Sequence, residues 1–229
     1  MPGVEWIGME KKELEAQSRS VDAVIQAVAR IDAAEFAAYR GGWPGQVGMA
    51  LVDAVFSIRA RYDASVLPRL RTLKEHHPEI SDDLQALVDL GADEVRRVMG
   101  STKTARRHKA DCVIDAATAM LTLSPPLRRA DEVREHEDAA RHAYTSVRGL
   151  GPVTATYFLM LLGKDGVKPD RMIRRFVNAA LAAENLGSAT SDQAGTLLTR
   201  AHARDGHGVS LTAYEHAVWR AKGRVPSLS

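Results

Sequence analysis

The stretch Val147-Arg148-Gly149-Leu150-Gly151-Pro152-Val153-Thr154-Ala155 decides how this chain is read. Two glycines around one apolar residue permit a tight turn in which the backbone can approach a ligand closely. Pro152 stands where a helix begins, its fixed φ suited to a first helical turn. The free N–H groups there, at the positive end of the helix dipole, form an anion site. Leu150 is expected to point inward and hold the two flanking helices together. Taken alone, the segment reads first as a glycine-terminated helix followed by a proline-started one, which is common in helical proteins. Downstream come an apolar helix to Leu162-Gly163, the loop Lys164-Asp165-Gly166-Val167-Lys168-Pro169, and Asp170 opening an Arg/Ile-rich helix. By itself Asp170 reads as an N-cap.

Working outward, helical periodicity dominates, and no sustained alternation of β-branched and polar residues suggests strands. Helices are expected over Lys11–Ile31, Ala33–Tyr39, Val47–Arg61, Ser65–His76, Ser81–Leu90, Ala92–Met99, Lys103–Leu121, Ala130–Val147, Pro152–Leu162, Arg171–Ala183, Ser191–Arg204 and Ser210–Ala221. Gly91 and Gly100 act as stops, Ser81 resembles an N-cap, and Gly41-Gly42-Trp43-Pro44-Gly45 is a break that only a loop tolerates. An all-α architecture follows. Two interlocked helical subdomains are expected, with a helix-hairpin-helix and an active-site cleft between them. Residues 1–45 would pack with the C-terminal subdomain, 46–165 would form a subdomain ending in the hairpin, and 166–229 would carry Asp170.

The 229 residues can bury a sizeable core, and 45% hydrophobic content is ordinary for a globular protein. No apolar run reaches the roughly 18–20 residues that cross a bilayer, and the N-terminus lacks a signal-peptide core, so a cytoplasmic, nucleoid-associated protein is expected. The single cysteine, Cys112, excludes an intrachain disulfide and a four-cysteine iron–sulfur cluster; on an apolar helix face it reads as a small buried hydrophobe. The eight histidines show no metal-ligand spacing, so no metal site is expected. Net charge is only +2, yet Arg96, Arg97, Lys103, Arg106, Arg107, His108 and Lys109 crowd one segment. Such a run is ordinarily a solvated helix face.

The hairpin and the aspartate together are more specific. Gly149-Leu150-Gly151-Pro152-x-Thr154-Ala155, an apolar helix, then Val167-x-Pro169-Asp170-x-x-Ile173-x-Arg175 resembles the helix-hairpin-helix base-excision DNA glycosylase superfamily. Leu51-Val52-Asp53-Ala54-Val55-Phe56-Ser57 is similar to that family's early core helix, Arg107-His108-Lys109-Ala110 to its Lys-Ala helix start, and Tyr214-Glu215-His216-Ala217-Val218-Trp219 to its closing helix. The resemblance implies double-stranded DNA with a damaged or modified base as partner, a monomer, and no cofactor beyond a monovalent cation at the hairpin. The amides of Gly149, Gly151 and Val153, with Leu150 and Thr154 shaping the turn, would grip a phosphate, and Lys109 would add a contact. Asp170 would stabilise the oxocarbenium-like sugar.

Strand-cutting members carry a lysine where this chain has Val153, so base removal without a lyase step is expected; Lys168 is the one nearby substitute. Where the family often has a wedge glutamine, this chain reads Ser57-Ile58-Arg59-Ala60-Arg61-Tyr62-Asp63, offering Arg59, Arg61 or Tyr62. Trp43 is placed as in the 3-methyladenine-type branch, where an aromatic lines the base pocket, so Trp43 and Tyr62 are expected there and an alkylated purine is favoured. Trp219 reads as core, and Trp6 carries no reading. The rival function is non-catalytic, structure-specific DNA binding by the hairpin; a third is a glycosylase acting on modified bases of foreign DNA.

Overall fold

The computed structural model describes residues 3–37, 39 and 41–226, with side chains from residue 15 onward; the side chain of Trp6 lies outside that range. The fold is all-α, with one two-residue β-ladder among the described residues. No helix is long and apolar enough to cross a membrane among the described residues. The chain divides into two compact units, one of residues 1–40 and 165–229, the other of 41–164.

The unit of residues 41–164 is built on α3 (Val47–Phe56), all ten residues of which are buried. A helix apolar on every side must sit inside a core, and α3 packs against α4 (Leu67–His76), α5 (Leu84–Met99), α6 (Lys109–Leu121) and α9 (Pro152–Leu161). Gly48 lets one neighbour come very close: a Cβ there would fall 2.0 Å from the Ile80 carbonyl oxygen. The expected helix to Arg61 ends instead at Phe56, and a π-turn over Tyr62–Val66 leads into α4.

Three further expectations change here. The two helices expected on either side of Gly91 are present within α5, divided where Gly91 leaves the helical backbone (φ 81°, ψ 161°), but the cap of the first is Asp83, not Ser81; its side chain accepts from Gln85 N at 2.9 Å. The helix expected from Lys103 begins only at Lys109. Before it, β1 (Lys103–Thr104) and β2 (Arg107–His108) pair antiparallel around Ala105 and Arg106, at φ 46° and 68°. Good helix formers adopt left-handed backbone here, as a tight hairpin turn requires. The helix expected over Ala130–Val147 is divided into α7 (Ala130–Glu135) and α8 (Glu137–Ser146) at His136.

The other unit joins α1 (Gly3–Val28) and α2 (Ala33–Phe36) to α10 (Arg171–Ala183), α11 (Ser191–Arg204) and α12 (Leu211–Arg220). On α10 the buried residues are Ile173, Phe176, Val177, Ala180 and Leu181, the spacing of one helical face. They meet Val24 and Val28 of α1, Leu198 of α11, and Tyr214 and Val218 of α12 in a single core; Trp219 packs at its edge.

Candidate nucleic-acid interface and carboxylate site

The hairpin turn runs from Val147 to Gly151 between α8 and α9. Gly149 takes φ +101°, a conformation side chains resist, and Leu150 is buried in the core. Leu150 N donates to Val147 O at 3.0 Å. Gly151 is the N-cap of α9: Thr154 Oγ1 donates to Gly151 O at 2.9 Å and faces Gly151 N at 3.2 Å. The expected trio of phosphate-gripping amides is thereby narrowed. Gly151 N is engaged by Thr154, whereas the N–H groups of Gly149 and Val153 meet no acceptor among the described residues. Two such donors at the start of a ten-residue helix are an anion-binding arrangement.

Neighbours hold the turn in place. Thr104 Oγ1, from β1, donates to Gly149 O at 3.1 Å, and the buried Cys112 thiol lies 3.7 Å from Arg148 O. The β-hairpin therefore rests on the glycine turn. Burial pushes the Cys112 thiol up from its ordinary range. The carbonyls of Val147, Arg148, Gly149 and Gly151 already accept protein donors.

Most of the basic segment is not available for DNA. Arg107 pairs with Asp115 at 2.5 Å, Arg96 with Asp111 at 2.7 Å, and Arg97 with Glu94 at 2.5 Å. Lys109 corrects the expected phosphate contact outright. It is 3% exposed, and its Nζ donates to Phe56 O at 2.9 Å and Ile58 O at 2.7 Å, satisfying carbonyls at the end of α3. Burial lowers its pKa to about 8. Lys103, Arg106 and Arg148 stay exposed around the turn and enter no ion pair among the described residues. Arg59 and Arg61 are exposed as well, in the loop that Lys109 anchors, with Arg59 at φ 52°.

Trp43 and Tyr62 are brought together, through a residue that sequence reasoning missed. Trp43 Nε1 and Tyr62 OH donate to Asp53 Oδ2 at 2.7 and 2.8 Å, and Ser57 Oγ donates to Asp53 Oδ1 at 2.8 Å. Asp53 is fully buried within α3. Its signal was present: it is the single charge in the otherwise apolar run Val47–Phe56. Burial, then the Asp53 charge, drives the Tyr62 phenol well above its usual range. Lys74 Nζ stands 5.6 Å from the Trp43 ring centroid, so a cation already occupies one approach to the indole.

Asp170 is the N-cap of α10. Its Oδ1 accepts from Met172 N at 2.7 Å and Ile173 N at 3.2 Å, and Oδ2 takes neither bond. The loop before it is fastened to α12. Asp165 accepts from Leu211 N and Thr212 N at 3.0 and 2.7 Å, Gly166 N donates to Thr212 Oγ1 at 3.0 Å, and Asp170 N closes a three-residue turn on Lys168 O at 2.7 Å. A half-buried carboxylate with one oxygen committed and the other without a hydrogen bond among the described residues can stabilise a neighbouring cation or take a proton from water. Among the described residues, no cluster of three His, Cys, Asp or Glu side chains is placed to hold a metal ion.

These features define a two-unit all-α protein with a glycine hairpin and a helix-capping aspartate. The chain belongs to the family described as "Domain of unknown function (DUF8548)", whose model matches residues 20–223. No curated protein matches its sequence. Among solved structures it is similar to one described as "Structure of MBOgg1 in complex with low affinity DNA ligand", with a TM-score of 0.52 and 15% identity. The likeness covers 78% of this chain and 61% of that one, so this chain spans less than two thirds of its neighbour. At that identity the likeness is one of fold.

Proposed function

We propose that this protein is a monofunctional DNA N-glycosylase, which hydrolyses the bond between a flipped modified base and its sugar and leaves an abasic site. The observation that carries this reading is Asp170, whose Oδ1 caps α10 while Oδ2 makes neither capping bond. Phosphate binding alone has no use for a carboxylate beside DNA. The hairpin supplies the complementary need, donors for one phosphate at Gly149 and Val153, with Lys103, Arg106 and Arg148 as the exposed cations around it. The likeness to a protein solved with a DNA ligand supports a duplex as partner.

A base inside a duplex must first be extruded, at a cost of a few kcal/mol. Arg59 and Arg61, on the loop held by Lys109, are the side chains offered to the gap. As the C–N bond breaks, positive charge develops on the sugar, and the Asp170 carboxylate stabilises it. Water then adds to the anomeric carbon, giving its proton to Asp170 or to solvent, and the base leaves with its bonding electrons. Val153 cannot form a Schiff base with the sugar, so no strand scission follows. The phosphate grip uses N–H donors, which a monovalent cation at the hairpin would supplement. An alkylated purine is the favoured substrate class from the placement of Trp43, whose indole Asp53 fixes in place while Lys74 takes one of its approaches.

Purified protein incubated with duplexes carrying alkylated, deaminated, oxidised or hypermodified bases, followed by alkaline cleavage at abasic sites, tests the reading. Release of one base class, lost in Asp170→Asn, is expected. Binding without release from any duplex would favour the non-catalytic hairpin protein. Release confined to hypermodified bases would point to foreign DNA as the target, and a borohydride-trapped covalent adduct would refute the monofunctional chemistry.

A further inference from the structure

We propose that the unit carrying Asp170 holds a second DNA-binding surface: Arg171, Arg174 and Arg175 of α10, with Lys222 and Arg224 beyond α12, form a patch that takes the phosphodiester backbone of duplex DNA. Placing those phosphates beside the target sugar rests on the glycosylase reading of Asp170; the charge and geometry of the patch do not. α10 has no carboxylate anywhere along its length, Arg171–Ala183. Its three arginines stand three and four residues apart, on the side away from the buried Ile173, Phe176 and Val177, and all three are exposed. Like charges at these spacings repel, and a single basic helix face is ordinarily just solvated.

This face differs in having a second element that adds to its charge instead of cancelling it. α12 ends at Arg220, and the chain turns through Lys222 and Gly223, left-handed at φ 54° and 71°. Lys222 N donates to Trp219 O and Arg224 N to Ala221 O, each at 3.0 Å, and Val225 packs at the edge of the core, so the turn is held. It closes onto the start of α10. Gly223 is buried, and a Cβ there would fall 2.8 Å from Arg175 Cβ and 3.4 Å from Met172 O. Glycine lets the two segments come this near, with Lys222 and Arg224 exposed on either side. None of the five side chains is paired with a carboxylate among the described residues. Elsewhere in the same unit Arg204 pairs with Asp22 at 2.7 Å, and Arg220 pairs with Glu35. Five unneutralised cations on two fixed elements complement a polyanion, and arginine forks match phosphate oxygens. Asp170 directly precedes Arg171, so phosphates on this patch flank the nucleotide that reaches the carboxylate.

Binding of an unmodified duplex by the full chain, followed by fluorescence anisotropy across a salt series, tests the patch without any excision. Arg171→Ala, Lys222→Ala and Arg224→Ala are each expected to lower the log–log salt slope by about 0.9. Arg171→Lys and Arg224→Lys, which keep the charge, should hold the parent slope. Arg204→Ala and Arg220→Ala, whose cations are already paired, should hold it too. An unchanged slope in the three patch alanine variants, or a parent that binds no duplex, would overturn the proposal. So would alanine variants that lose binding to anionic phospholipid vesicles while keeping the duplex slope, which would assign the patch to a lipid surface. Only binding is read, so a slope that falls in a protein removing no base upholds the patch and refutes the glycosylase. An unchanged slope in an active glycosylase strikes the patch alone.

Discussion

Trp43 and Tyr62 donate to the same oxygen, Asp53 Oδ2, at 2.7 and 2.8 Å. One buried carboxylate thereby fixes a loop tryptophan and a π-turn tyrosine relative to α3. Asp53→Ala would leave an indole N–H, a phenol and a hydroxyl without their acceptor, and each such loss costs about 1–3 kcal/mol. A loss of about 3 kcal/mol or more is expected in urea unfolding, with a change in tryptophan emission. A loss below about 1 kcal/mol would mean the three donors find other partners.

The two glycines of the turn should separate fold from binding. Gly149→Ala must accept φ +101° with its Cβ 3.1 Å from Ala105 Cβ and 3.2 Å from Thr104 Cγ2. A destabilisation of about 1–3 kcal/mol is expected, together with loss of DNA affinity. At Gly151 nothing lies within 4 Å of the added methyl and φ is −129°. Gly151→Ala should therefore melt within a few degrees of the parent yet bind duplex DNA more weakly, because the methyl stands beside the phosphate-binding amides. Calorimetry and fluorescence anisotropy check the pair.

Asp170 combines a structural and a chemical task, and two substitutions divide them. Asparagine is as good an N-cap as aspartate, so Asp170→Asn should keep its melting temperature and lose excision by at least about 10²-fold. Asp170→Ala should lose excision to a similar degree and about 1 kcal/mol of stability besides, read in denaturant unfolding.

Salt dependence should tell the exposed cations from the paired ones. Alanine at Lys103, Arg106 or Arg148 is expected to reduce the log–log salt slope of duplex binding by about 0.9 each. Alanine at Arg96, Arg97 or Arg107, each already paired with a carboxylate, should leave the slope unchanged. An equal reduction from both groups would return the whole segment to the DNA surface.

The two units should respond to alkali in opposite directions. Lys109 titrates at about 8 in the fold against an ordinary 10.5, so between those values the unfolded chain holds more protons and stability rises with pH. Lys109→Met should abolish that rise. Burial raises the Glu215 carboxyl above its ordinary range, so stability from its neutral form is full in acid and is lost as pH climbs through the raised value. Glu215→Gln should flatten that decline. Unfolding followed from pH 4 to pH 10.5 in both variants provides the check.

The helices α10 and α11 lie where periodicity and capping residues put them, because one apolar face and a strong N-cap agree in each. The β-hairpin of Lys103–His108 was illegible for the converse reason. Arg106 and Ala105 favour helix by composition, and their left-handed backbone is imposed by tertiary context, including the contact of Thr104 with Gly149. The hairpin glycines and Asp170 were visible as a spacing. Lys109 was misread because a lysine in a basic run is ordinarily solvated, and nothing local announces that two carbonyls await it across the fold.

The unit that carries Asp170 is assembled from both sides of its neighbour in sequence, α1 packing on α10 and α11. During synthesis α1 leaves the ribosome well before those partners exist, while residues 41–164 form a continuous stretch able to collapse as it emerges. At about 5–20 residues per second, α1 must wait several seconds with its Val21, Val24 and Val28 face uncovered. The hairpin-bearing unit is thus expected to fold first, and the aspartate's surroundings to close only once α10–α12 have been made. An arrest series with nascent chains of increasing length, probed by limited proteolysis, should show protection of residues 41–164 preceding that of α1.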